Sequence, residues 1–220
     1  MFFTRKAFPV QFNEHLPLNT LIENIVFTVF DTETTGFQVA STDRLIEVAA
    51  VTVKGCQVQS SDTFRLYVNP ERQISQEITE LTTITNEQVA GAPFALEAIE
   101  QFFDFVQRNE TSCLVGHYVA FDVLVLKNEL KRSKFHLKKL QHIDTLDLIG
   151  FLAPSFDMRD LEKYAQAFGT RIYPRHQALG DALTTAYLFV ELLGHLKDRG
   201  YSTWGDLLQV TNSPARHLSF

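Results

Sequence analysis

Residues 25–37, IVFTVFDTETTGF, open as an apolar run suited to a buried strand (25–30) and close on an acid, a threonine and a second acid before turning on Thr34, Thr35 and Gly36. Residues two apart in a strand share a face, so Asp31 and Glu33 present both carboxylates to one side at the strand's C-terminal end. Two acids that close repel each other. Unless a positive charge sits between them one takes a raised pKa, and the natural compensator is a hard divalent cation such as Mg2+ or Mn2+, which prefers oxygen ligands. The turn that follows offers backbone N–H groups to a ligand, Gly36 permitting an approach that a Cβ would block. The plainer alternative is a solvated strand end followed by a polar turn.

The chain as a whole supports a strand of this kind. With 220 residues and 45% hydrophobic content it can bury a sizeable core and suits one domain with short additions. No apolar stretch approaches the roughly 20 residues that span a bilayer, and the opening MFFTRKAFPVQFNEH lacks the apolar segment and cleavage site of a secretory signal, so a cytoplasmic protein with no membrane partner is expected. Cys56 and Cys113 have no metal-ligand spacing and read as buried free thiols. The net charge of −6 argues against holding duplex nucleic acid by bulk electrostatics, although a metal-loaded acidic site still attracts phosphate.

Outward from 25–30, strands are expected at 45–54 and 57–68, joined across Gly55-Cys56 as a hairpin, so the sheet starts antiparallel. Helical segments follow at 75–81 and 94–107, a short strand at 113–115, a helix at 121–133, a strand or turn at 143–148, a helix at 159–168 stopped by Gly169, and a long amphipathic helix at 179–196. The order is that of a mixed α/β domain. Residues 1–24 read as an N-terminal extension with a short helical piece at 18–23, 25–197 as the domain, and 198–220 as a C-terminal tail.

A metal reading of Asp31 and Glu33 needs further acids at the ends of later elements. Asp122 follows a short strand and a Gly-His turn in LVGHYVAFDVLVL, where capping of a helix N-terminus is the alternative role. Asp181 follows His176 by five residues at the start of the last long helix, where a capping acid and a surface histidine are again the alternative. Taken together, DTETTG (31–36), GHYVAFD (116–122) and HQALGDA (176–182) resemble the DEDD 3′–5′ exonuclease family, in the branch with histidine in its last motif; the branch that carries tyrosine four positions before the last aspartate would need it at Gln177. That family includes the proofreading epsilon subunit of bacterial DNA polymerase III. RLIEVAAV (44–51) and IDTLDL (143–148) extend the resemblance over roughly 25–196.

The resemblance implies a ribonuclease H-like mixed sheet, its first three strands antiparallel and the later ones parallel, flanked by helices. It implies that Asp31, Glu33, Asp122 and Asp181 bind two divalent cations, Mg2+ or Mn2+, that clamp the scissile phosphate, and that His176 takes the proton of the attacking water. An imidazole, with an unperturbed pKa of about 6.5, suits that task. The substrate it implies is the 3′ end of single-stranded DNA or RNA, with DNA favoured, and a DNA polymerase or another replication or repair protein is the implied protein partner. Thr34, Thr35 and Gly36 then meet the terminal nucleotide, Phe37 or Phe121 stacks on its base, and His117 lines the site; core packing is the alternative for both phenylalanines, and a satisfied structural histidine for His117. Glu47 either approaches the site or is a hydrogen-bonded strand acid.

There are departures. Tyr118 stands where many relatives have asparagine, and LTTIT (81–85) lacks the usual glycine at Thr83. A basic run in 126–140, with Lys127, Lys131, Arg132, Lys134, Lys138 and Lys139 against the single acid Glu129, either guides a strand's backbone or is a solvated surface. The readings in view are thus a 3′–5′ exonuclease acting on DNA, an exoribonuclease of the same fold, and a non-catalytic binding module.

Overall fold

The computed structural model describes residues 5–10, 16–155 and 160–211. After a two-residue strand, β1 (Lys6–Ala7), and a single 3-10 turn at Ile22–Asn24, the chain enters β2 (Val26–Thr34), which runs four residues beyond the apolar stretch. Asp31, Thr32 and Glu33 remain in the strand because β3 (Leu45–Lys54) pairs them antiparallel, with Ala49, Val48 and Glu47. The backbone ladder here outweighs the poor strand propensity of acids. β4 (Gln57–Tyr67) completes the hairpin across Gly55 and Cys56, both at positive φ.

Three helices follow, α1 (Gln76–Thr82), α2 (Asn86–Ala90) and α3 (Ala95–Arg108), of which the sequence reading lacks only α2. Its signal was the capping box in which the Thr85 hydroxyl accepts from the Gln88 N–H and the Gln88 side chain accepts from the Thr85 N–H. β5 (Cys113–Gly116) leads into α4 (Val119–Arg132), then β6 (Phe135–His136), β7 (His142–Asp144), α5 (Thr145–Leu152), α6 (Leu161–Ala167), α7 (Ala178–Asp198) and α8 (Trp204–Thr211). The 143–148 stretch is therefore the end of a strand and the start of a helix. The first residue of the 159–168 helix lies outside the described residues, and Gly169 at φ +67° follows its end.

The main sheet has the order β4-β3-β2-β5-β7, antiparallel through the first three strands and parallel from β2 to β7, the mixed sheet expected from the sequence. Its two faces are covered separately. Phe27 and Val29 of β2 point into a core shared with Phe189 and Leu192 of α7, while Phe30 points into one shared with Phe102 of α3 and Val123 of α4. Alternation along β2 then carries Asp31 and Glu33 onto the α7 side and Thr32 onto the α4 side.

The described parts of the two flanking segments are packed onto this body. Phe8 is 3% exposed against the rings of Phe103 and Phe135, beside the parallel pairing of β1 with β6. Further on, the Ile22 N–H donates to the Ser202 carbonyl and those of Trp204 and Gly205 to Thr20 and Leu18, tying the run before β2 to the start of α8. Cys113 is buried and Cys56 half-buried, both free. Among the described residues, no helix is long and apolar enough to cross a membrane.

Thr83, where the sequence reading expects glycine, caps α1 in the left-handed conformation at φ +63°. A β-branched residue is strained there, and glycine is the residue that the position favours. Thr83→Gly is expected to raise the unfolding free energy by about 1 kcal/mol in urea denaturation; a destabilised variant would show that the threonine side chain outweighs the strain.

Candidate active site

Glu33 lies directly opposite Glu47 across the β2–β3 pair. Like charges so placed repel, and the chain resolves the conflict by turning Glu47 to other partners. Fully buried, Glu47 accepts from Arg65 Nε at 2.5 Å and from the Ala178 N–H, the first of α7, at 2.8 Å. A carboxylate at that end of a helix also meets the positive end of its dipole. Glu47 is thus a hydrogen-bonded strand acid that fixes where α7 begins, and it still lies close enough to Glu33 to help raise that carboxyl.

One turn into α7, Asp181 comes over Asp31 and Glu33. The loop before it lies flat on the helix: a Cβ on Gly180 would fall 2.0 Å from the Pro174 carbonyl oxygen, so only glycine permits the contact. His176, at φ +57°, donates its N–H to Asp181 Oδ2 at 3.2 Å, while the Arg175 guanidinium bonds Asp181 Oδ1. Asp181 does not cap the helix by its side chain; the N-cap residue is Gln177.

Asp122 arrives from the other side of the sheet. β5 pairs with β2 only as far as Val29, so beyond that residue the edge of β2 is open. Asp122 Oδ1 fills the gap, accepting from the Thr32 N–H at 3.0 Å and the Thr32 hydroxyl at 2.6 Å. The α4 terminus is held instead by Asp144, whose oxygens accept from the N–H groups of Tyr118 and Val119 at 3.2 and 3.1 Å, which is why the helix starts at Val119. Capping is therefore the role of Asp144, and Asp122 reaches back to β2 beside Asp31 and Glu33.

Ligand oxygens of Asp31, Glu33 and Asp181 lie within 4.8 Å of one another. An all-carboxylate set of this spacing fits a hard divalent cation. Burial and the neighbouring acids push the Asp31 carboxyl well above its usual range, with Asp122 the strongest of those neighbours, and raise Glu33 to about 8. Burial lifts Asp122 to about 7 against the opposing Thr32 hydrogen bonds, and raises Asp181 against the nearby Arg175. The cluster lacks positive charge, and Arg175 supplies only part of it.

A cavity of about 440 Å³ opens over the cluster. Thr34, Gly36, Phe37, His117, Phe121 and His176 line it together with the four acids. Thr35 does not: its hydroxyl donates to Asp43 Oδ1 at 2.9 Å and accepts from the Arg44 N–H, so it builds the turn. The same Asp43 explains Gly36, where a Cβ would meet Asp43 Oδ2 at 2.6 Å; what the glycine admits is this carboxylate.

Phe37, 85% exposed, is not core and packs its ring 5.9 Å from that of Phe121, which is half-buried and lies both against the α3/α4 core and on the cavity. The sequence reading missed Thr32, whose only signal was its place between the two acids, and Ile78, Leu81 and Thr82 of α1, which close the far wall. Tyr118 adopts φ +59°, a left-handed conformation that asparagine takes more readily than tyrosine.

Comparison with known proteins gives a consistent result. The family model RNase_T, described as Exonuclease, matches residues 28–189. DNA polymerase III PolC-type from Bacillus subtilis (strain 168) is 34% identical over 194 residues, 87% of this chain, and 3′-5′ exonuclease DinG from the same strain is 31% identical over 186 residues, 84% of this chain. This chain spans 13% of the first and 19% of the second. Among solved structures, the nuclease domain of 3′hExo, a DEDDh family member bound to rAMP, superposes with a TM-score of 0.67 at 21% identity, over 77% of this chain and 92% of that one, a likeness of fold.

With the Glu33 carboxyl raised to about 8, Mg2+ taken up by its charged form at pH 7 is expected to release protons and to bind more tightly as pH rises toward 8. In the absence of metal the sign reverses: a raised carboxyl stabilises the fold at low pH, and that contribution is lost as pH climbs through about 8. Calorimetry in buffers of different ionisation enthalpy reads the proton count, and a count of zero would refute the shift. Arg175 and a cation compete for Asp181, so Arg175→Gln should tighten Mn2+ binding on the order of tenfold in a spin-resonance titration; weakened binding would make Arg175 a supporting residue instead.

Proposed function

The chain belongs to the RNase_T exonuclease family, and from that premise we propose that it hydrolyses phosphodiester bonds from the 3′ end of single-stranded nucleic acid, DNA being favoured, and releases nucleoside 5′-monophosphates. The observation that carries this reading is the convergence of Asp31, Glu33 and Asp181 within 4.8 Å, beneath a cavity that also holds Asp122 and His176. Asp31, Glu33 and Asp181 would hold one divalent cation, and Asp31 and Asp122 a second, as Mg2+ or Mn2+. Once bound, two such ions supply charge stabilisation for the attacking and leaving oxygens of an in-line displacement.

The remaining work belongs to the chain's own side chains. His176, at the cavity wall, accepts the proton of the attacking water as its oxygen bonds to phosphorus; the bond from phosphorus to the 3′ oxygen breaks, and that oxygen is protonated. Phe37 and Phe121 offer an aromatic pair on which the terminal base stacks, a contact open only to an unpaired base. Thr34 and Gly36 line the cavity beside them and would meet the sugar. His117, fixed by the 2.8 Å contact of its Nδ1 with the Thr145 hydroxyl, forms the wall on the α5 side.

The catalytic unit in this proposal is 25–197, with 1–24 and 198–220 as flanking segments. The PolC-type relatives support work alongside a polymerase or another replication or repair protein, and a cytoplasmic setting belongs to the same proposal. A ribonuclease reading is the alternative, favoured by the fold likeness to a nuclease domain bound to rAMP.

Matched 5′-labelled single-stranded DNA and RNA, incubated with Mg2+, Mn2+ or EDTA, test the proposal. A metal-dependent ladder shortening from the 3′ end is expected, abolished in Asp31→Ala and Asp181→Ala while both retain the parent circular dichroism spectrum. His176→Ala should slow turnover roughly 10²–10⁴-fold and flatten the pH profile. Retained turnover in Asp181→Ala would overturn the assignment of the site.

A further inference from the structure

The basic run after Asp122 is divided by the structure into residues that hold the fold and residues that face solvent. Arg132 belongs to the first group: it pairs with the buried Glu129 at 3.1 Å and donates to the carbonyls of Val39, Ser41 and Asp43, clamping the loop after β2 onto α4. Lys127 and Lys131 belong to the second, exposed on α4 and without an ion pair among the described residues. The one acid of the run, Glu129, is buried and already shared between Arg44 and Arg132.

Residues three apart on a helix form a continuous surface ridge. On α4 that ridge reads Phe121, Leu124, Lys127, with Tyr118 one step before it and Lys131 one turn beyond it. It starts in the cavity, at the Phe37–Phe121 pair, continues through Leu124, which is 44% exposed, and ends in the two lysines. Apolar contact near the site giving way to unpaired positive charge farther out is the composition of a single-strand platform, in which bases stack first and the backbone is held electrostatically. From Phe121 to Lys131 the helix rises on the order of 15 Å, enough to pass several phosphates.

We propose that the α4 ridge carries the single strand upstream of the 3′ end, with Leu124 beneath a base and Lys127 and Lys131 on the backbone phosphates. The inference rests on the nuclease reading of the adjoining cavity. It makes the two lysines binding residues for long strands and gives them no part in the chemistry.

The test compares the parent with Lys127→Gln/Lys131→Gln and Lys127→Arg/Lys131→Arg on a dinucleotide and on a long single strand. The glutamine pair should raise KM for the long strand about tenfold with kcat unchanged, leave the dinucleotide unaffected, and lower the slope of log affinity against log salt by about 1.4, two contacts at ~0.7 each. The arginine pair should restore both values. Equal KM and equal salt slope in parent and glutamine variant would overturn the ridge, as would a matching loss on the dinucleotide, while leaving the nuclease reading intact. Should the parent cut neither substrate, fluorescence anisotropy of a labelled strand still decides: weaker binding by the glutamine pair upholds the ridge, and unchanged binding, as expected if these lysines serve a protein partner, rejects it.

Discussion

Three carboxylates held within 4.8 Å of one another repel, and most of the polar architecture of this domain exists to hold them there. Two of the acids come from β2 and the third from α7, with Asp122 of α4 beside them, and hydrogen bonds between elements fix how these approach one another. Glu47 fixes the first residue of α7 and so the height of Asp181; Thr32 holds Asp122; Asp144 sets the start of α4. Buried polar groups of this kind are costly unless satisfied, and here each satisfies a backbone donor that the fold would otherwise leave open. The strain of assembling the site is thereby spread over the scaffold.

The open edge of β2 is the topological feature that makes the arrangement possible. β5 separates from β2 after Val29, and the chain turns at Gly116 into α4. Acids on the two faces of the sheet meet through that gap, Asp31 and Glu33 from the α7 side and Asp122 from the α4 side. A fully paired β2 would have kept them apart. Binding sites at the ends of strands where neighbours diverge follow from the same geometry.

A second polar network steadies the mouth. Glu129, buried in α4, accepts from Arg44 Nε with both oxygens and from the Leu45 N–H, while Arg44 also reaches Glu71. Together with Asp43, which joins Thr35, the Gln38 N–H and Arg72, it locks the loop between β2 and β3. Phe37 projects from that loop, whose position is set above all by the buried Glu129 and its two arginines, since removing one partner would leave a buried charge uncompensated.

How much of this could be read in advance differs from residue to residue. The period-two alternation put Asp31 and Glu33 on one face, the hairpin at Gly55-Cys56 made the first strands antiparallel, and the spacing of apolar residues outlined α7, because these depend on local backbone geometry. The order of the acids, with His176, pointed to the family. Contacts between distant segments were not legible: that β2 extends to Thr34, that Thr35 turns inward to Asp43, that Arg132 clamps a loop, or that residues 16–24 join α8. The short box at Thr85 and Gln88 was there to be found and outlines a helix too brief to show periodicity. Sequence alone determined the order of the acids and His176 along the chain and which faces the strand acids occupy, since both follow from residue type and local period; tertiary structure decided which of them meet, because that depends on where strands part and on which buried donor each carboxylate must satisfy.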